Sequence, residues 1–194
     1  MKKTQDGQVI VIVAVLLLLV LFLLALIIDG SKLIMERQQM KRAADAAGKA
    51  GMMVAADRMV TQVAAAQTES ASLAPSSTPE SPSATAGESP LPSPDDFYPR
   101  LNDDHRATLV SPPLQTMVVS HIYQHLERVN SDYLDPGYCD LQVEYPYRYH
   151  PEEQKLQLSV QMRKNVSLIF GGLLGSDKGM IHVESRQSLP QRAP

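Results

Sequence analysis

Two histidines four residues apart, His121 and His125, are the closest this sequence comes to a metal-binding pair. On a helix that spacing puts both imidazoles on one face, as in zinc peptidases. The residues between them, Ile122-Tyr123-Gln124, include no glutamate to act as a base, and no third ligand can be assigned, so both are expected to be ordinary polar-face or half-buried histidines. Gly171, Gly172 and Gly175 share with phosphate loops only their glycine content; no Gly-Lys-Ser/Thr follows to hold a phosphate and its metal, and they read as turn glycines. No serine sits in a Gly-x-Ser-x-Gly elbow, and the acidic residues form no pair that spacing would mark as general acid and base. Cys139 is the single cysteine, which excludes an internal disulfide, a Cys-rich zinc motif and a CxxC redox pair. It is expected as a small buried residue on a strand. These residues predict no catalysis, no cofactor and no metal. Tyr145, Tyr147 and Tyr149, at alternate positions, would share one face of a strand, either in the core or as an aromatic stripe for a protein partner.

The elements around these residues are bounded by length and charge. A chain of 194 residues allows one modest folded unit with an anchor and a linker. The net charge of -3 lacks the basic excess of a nucleic-acid binder, so nucleic acid is not an expected partner, and no small-molecule substrate is evident. Residues 9–28, with Val9 and Ile28 at the ends, include no polar side chain, and all but Ala14 and Ala25 are Val, Ile, Leu or Phe. Twenty residues of helix span about 30 Å, the thickness of a bilayer core. A cleaved export signal would have a shorter apolar run ending in small residues. Here the run leaves through Leu26-Ile27-Ile28-Asp29, so an uncleaved single-pass transmembrane helix is expected, with residues 1–28 retained.

Beyond Asp29 the residues to 66 include no proline and are rich in Ala, Met, Gln, Lys and Arg, which predicts that the helix continues over 29–66. Ala44 and Gly48, and likewise Ala47 and Gly51, sit four apart on one helix face, where small side chains let another element approach closely. That element would be the downstream unit or a partner helix. Residues 67–96 hold six prolines among Ser, Thr, Ala and Glu and are expected to be a disordered linker. Folding signals return over 97–189, followed by a tail at 190–194. Ser111 before Pro112 and Pro113 reads as a helix start, and Leu114, Met117, Val118, Ile122, Leu126 and Val129 recur at helical spacing as far as Asn130. After the turn signal Asp135-Pro136-Gly137, two alternating runs (139–149, then 156–163) predict a hairpin, and a third strand is expected near 180–188. The predicted fold class is therefore α+β: a transmembrane helix continuing into a long helix, a linker, and a small helix with an antiparallel sheet. So small a unit needs cover from the long helix to complete its core.

The N-terminal progression is specific. Asp6-Gly7-Gln8 opens the apolar helix, Asp29-Gly30 closes it, and Arg37-Gln38-Gln39-Met40 and Ala43-Ala44-Asp45-Ala46-Ala47 follow. Over about the first fifty-five residues this resembles the TadE/TadG-like proteins of the tight adherence (Flp-type) pilus assembly system. The resemblance implies a membrane-anchored, pseudopilin-like or assembly component with a pilin-like C-terminal part, whose partners are the bilayer and other Tad assembly proteins or pilins. Processed members of the wider system are cut after a glycine and carry an acidic residue five positions later. Here that glycine would be Gly7 and the later position is Ile12, which favours an unprocessed TadG-like component over a minor pilin. Counting Lys32, Arg37, Lys41 and Arg42 against Lys2 and Lys3 would place the C-terminal part in the cytoplasm. The stalk-like composition of 67–96 and the resemblance reverse this: the short N-terminus, 1–8, is expected in the cytoplasm and the rest outside the inner membrane. The competing function is an extracytoplasmic binding or adhesion module tethered to the membrane.

Overall fold

The structure, a computed structural model, describes residues 4–72, 103–149 and 156–189. The linker beyond Ser72, the hairpin turn at 150–155 and the tail from 190 lie outside the described residues, as do 1–3 and 73–102.

Helix α1, Thr4–Ser72, is one uninterrupted element of 69 residues, about 100 Å long, and passes the expected end at residue 66 by six residues. No proline breaks it, and Gly30, Gly48 and Gly51 are carried inside by strong helix formers on either side. Its surface divides along its length. Every residue from 8 to 24 is exposed, whereas from Ala25 onward a buried stripe runs through Asp29, Met40, Ala44, Ala47, Gly51, Ala55, Met59 and Val63. Half-buried Leu33 and Glu36 bridge it between Asp29 and Met40. Steps of three and four residues keep all of these on one helical face.

Two helices follow. The first, α2 (Asp103–Leu109), was not legible as a separate element; two aspartates in its first turn suit the positive end of a helix dipole, and Leu109 is buried at its end. The second, α3 (Pro112–Val129), starts and ends where expected, with Ser111 before it and Asn130 after it. The Ser111 hydroxyl does not cap α3; it turns back and donates to the Thr108 carbonyl at 2.6 Å. Leu114, Val118, Ile122 and Leu126 face the core, while Met117 and Val129, counted with them by spacing, are exposed. Asn130 Oδ1 accepts from the Asp132 amide, starting a 3-10 turn at Ser131–Leu134, and Asp135 Oδ1 accepts from the Gly137 amide in the expected turn.

Strands β1 (Asp140–Glu144), β2 (Leu156–Ser167) and β3 (Lys178–Leu189) form an antiparallel sheet in the order β1-β2-β3, which confirms the α+β class. β2 and β3 pair from Leu156 opposite Leu189 to Ser167 opposite Lys178. Alternation puts Leu156, Leu158, Val160, Met162 and Val166 on one face with Leu189, Val183 and Ile181, all buried. The stripe of α1 and the inner side of α3 cover that face and complete one core. The small unit thus obtains from α1 the apolar cover it could not supply itself.

β1 is shorter than its alternating pattern. It stops at Glu144, where Pro146 has no N–H for a ladder, and residues 145–148 form bends and turns, with Arg148 at a φ of 44°. The tyrosines therefore do not share one strand face. Tyr145 enters the core and its hydroxyl donates to the Leu109 carbonyl at 3.0 Å; Tyr147 is buried outside that core, with the guanidinium carbons of Arg148 and Arg186 at 5.2 and 5.3 Å from its ring centre; Tyr149 is partly buried against the core.

Candidate functional site

The surface that organises this molecule is the face of α1 from Ala25 to Val63. The four small residues singled out by spacing lie on it. Ala44 and Ala47 are fully buried. A Cβ built on Gly48 would stand 3.0 Å from Gln187 Cγ and 3.8 Å from Val160 Cγ2. One built on Gly51 would stand 2.7 Å from Ile122 Cγ1 and 3.3 Å from Leu158 Cδ2. The elements at this face are therefore α3 and the sheet of the same chain. At Gly51 the helix backbone touches a core isoleucine, and only hydrogen fits.

Below this apolar patch, toward the exposed run, polar groups of α1 tie the sheet down. Lys41 Nζ donates to the Glu184 carbonyl at 3.0 Å and to Asp45 Oδ1 at 2.8 Å. Burial would raise the Asp45 carboxyl, but hydrogen bonds from Lys41 and Ser185 outweigh it and hold the group below the ordinary aspartate value. Glu36 Oε2 accepts from Lys164 Nζ at 2.9 Å, and the same ammonium donates to the Tyr138 hydroxyl while lying 3.8 Å from that ring's centre. Lys32 Nζ donates to the Ser167 carbonyl at 2.8 Å. Last, at the edge of the apolar run, the buried Asp29 carboxylate accepts the backbone amides of Ile169 and Phe170, at 2.9 and 2.8 Å. β2 thus descends α1 from Leu158 beside Gly51 to Ser167 beside Lys32, and the loop after it is held at Asp29.

Lys164 is 7% exposed, and its charge survives because both partners are in place. Burial alone would lower the pKa of its ammonium, but the hydrogen bonds with Tyr138 and Glu36, and the charge of Glu36, overcome this and leave it above the ordinary lysine value of 10.5. A raised lysine pKa in the folded state stabilises the fold below the unfolded value, and that contribution is lost as pH rises through the folded value. Stability to heat, followed by circular dichroism, is therefore expected to be insensitive to Lys164 titration at neutral pH and to fall above about pH 10.5. Lys164→Met should lessen that alkaline fall, and an identical pH profile in the two proteins would contradict the role given to this ammonium.

The remaining candidates are not gathered into a site. His121 is exposed and His125 half-buried on α3, and among the described residues no group of three His, Cys, Asp or Glu side chains converges. Cys139 is 2% exposed and burial raises its thiol pKa, which keeps it protonated and inert. Gly171 and Gly175 serve the loop: a Cβ on Gly171 would meet the Ser176 carbonyl oxygen at 2.2 Å, and Gly175 has a φ of 80°. Sequence reasoning did not find the ties at Asp29, Glu36, Lys41 and Lys164. One signal was present: Asp29 and Glu36 fall in register with the apolar stripe of α1, where an unpaired charge would be costly.

At the N-terminal end, residues 9–24 present Val, Ile, Leu and Phe side chains to the surroundings, with Leu18 69% exposed. Among the described residues one helix is long and apolar enough to cross a membrane, with a mean hydropathy of 3.7 in its most apolar stretch. No curated protein and no solved structure matches the chain. Residues 7–74 match the family described as "Putative Flp pilus-assembly TadE/G-like". The match begins at Gly7 and ends just past the end of α1, so the part of the chain that is similar to TadE/TadG-like proteins contains the apolar run and the packing stripe together.

Proposed function

We propose that this protein is a membrane-anchored structural component of a Tad/Flp-type pilus assembly system, TadG-like or pseudopilin-like, that acts by holding a small α+β unit at a fixed height above the inner membrane. One observation carries the reading: the TadE/G-like match coincides with a single helix that is wholly exposed and apolar over its first part and then becomes the spine of the folded unit. An exposed apolar surface of this length is unfavourable in water and suited to lipid. The helix continues without a hinge, so force or orientation imposed on the anchor passes directly to the sheet. The partners are the bilayer and other Tad assembly proteins or pilins. In the proposed arrangement the N-terminus is cytoplasmic and the C-terminal unit extracytoplasmic.

In a strain with a Tad-type system, deleting the gene is expected to abolish pili and surface adherence, and the full chain should restore both. Protease added to intact spheroplasts should cut within 73–96, the part of the expected linker beyond α1. Normal piliation in the deletion strain with adherence alone reduced would favour a tethered adhesion module, and cleavage only after lysis would reverse the orientation.

A further inference from the structure

We infer that the loop from Leu168 to Gly175 is seated in the bilayer interface, its Ile169 and Phe170 side chains among the lipid chains, so that the protein grips the membrane at a second point beside its helix. This rests on the reading of residues 9–28 as a membrane span.

The height of the loop is fixed by Asp29. Its carboxylate accepts from the amides of Ile169 and Phe170, and it is the first residue past the apolar run. The contact surface reaches lower still. Ala25, one turn below Asp29 on the same face, is 4% exposed, whereas Ala14, flanked by equally bulky neighbours on the same helix, is exposed. The helix does not bury its own alanines here, so Ala25 is covered from outside α1, one turn below the point where Asp29 holds the loop. Ala25 lies about 4 to 5 Å inside the end of the span, at 1.5 Å per residue, so the covered face of α1 extends below the membrane boundary at Asp29.

The loop is built for such a place. Leu168 turns inward, where it meets Gly171 and Gly179, but Ile169 is 64% and Phe170 36% exposed. Irregular backbone near lipid must have its N–H groups satisfied within the protein. Here the amides of Leu168, Ile169, Phe170, Gly175 and Ser176 donate to the Asp177 carbonyl, the two Asp29 oxygens, the Gly172 carbonyl and the Gly171 carbonyl respectively. Exposed apolar side chains at 169 and 170, with their own amides bonded to Asp29 at the end of the apolar run, suit a segment resting in the acyl boundary.

The test places an environment-sensitive fluorophore on single cysteines of the full chain carrying Cys139→Ala, in phosphatidylcholine nanodiscs whose acyl chains bear bromine as a quencher. Ile169→Cys is the probe, with Phe170→Cys as its replacement should labelling at Ile169 disturb the fold; Leu24→Cys reports the span, and Thr61→Cys the distant part of α1. Quenching at residue 169 comparable to that at 24, and several-fold above that at 61, is expected. Quenching at 24 but not at 169 or 170 would overturn the inference and leave the anchor intact. No quenching at 24 would remove the anchor reading and the inference with it.

Discussion

Gly51→Leu should detach the C-terminal unit from α1 while leaving the helix and its membrane insertion unchanged. The substitution favours the helix locally, since glycine is about 1 kcal/mol worse than a good helix former. Against this, the first added carbon alone would lie 2.7 Å from Ile122 Cγ1 and 2.8 Å from Ile122 Cδ1, and Leu158 stands 3.3 Å away. Ile122 and Leu158 are both fully buried, so either could give way only by repacking within the core. Overpacking typically costs about 1 to 3 kcal/mol and more where backbone must move. A complete leucine side chain at this contact belongs at the upper end of that range or above it. The expected result in detergent or nanodiscs is unchanged helical signal from α1, with faster amide exchange and new protease cleavage over α3 and the sheet. Gly30→Ala is the matched control, because a Cβ there meets nothing within 4 Å, and it should leave the unit docked. In a Tad-equipped strain the Gly51 variant should insert normally and lose pilus display. Native protection of α3 and β2 in Gly51→Leu would show that this face is not packed as described.

This contact also marks how far the sequence could be read. The small residues at 44, 47, 48 and 51 announced a close approach, because only small side chains were placed at that helical spacing. They could not say whether the approaching element was another molecule or the same chain; the answer depends on Ile122 and Leu158, more than seventy residues away. The helix α3 and the hairpin were legible because proline at a first turn, an Asp-Pro-Gly turn and alternating apolar residues act locally. Alternation misled at 145–149, where Pro146 ends the ladder although the pattern continues. The polar ties were the least legible part. Lys32 and Lys41 were counted as charges flanking a membrane helix and Glu36 was not singled out, but in the fold the three bond to the Ser167 carbonyl, the Glu184 carbonyl and the Lys164 ammonium respectively. A charge facing water and one buried against a distant partner look the same in sequence unless, as with Asp29 and Glu36, it interrupts an apolar stripe.

In the proposed arrangement anchoring and folding use different parts of α1, so replacing Leu16, Leu19 and Leu23 together with arginine should remove the first without harming the second. At the centre of a span, leucine contributes about -0.3 to -0.6 kcal/mol to insertion and arginine about +2.5 to +3.5, so each replacement shifts the balance by about 3 to 4 kcal/mol. Three give roughly 9 to 12 kcal/mol, which matches or exceeds the roughly 5 to 11 kcal/mol by which the eighteen large apolar residues favour insertion. All three leucines are half or more exposed, at 61%, 56% and 50%, and lie below Ala25, where the buried stripe begins. None of them contributes to the core. The triple variant should therefore leave the carbonate-washed membrane fraction, yet when purified should keep the exchange protection of α3 and the sheet. Pilus display should be lost although the unit is folded, which separates a need for the anchor from a need for the fold. Retention of the variant in washed membranes would mean that another part of the chain or a partner holds it there, and the reading of residues 9–28 as the anchor would fail.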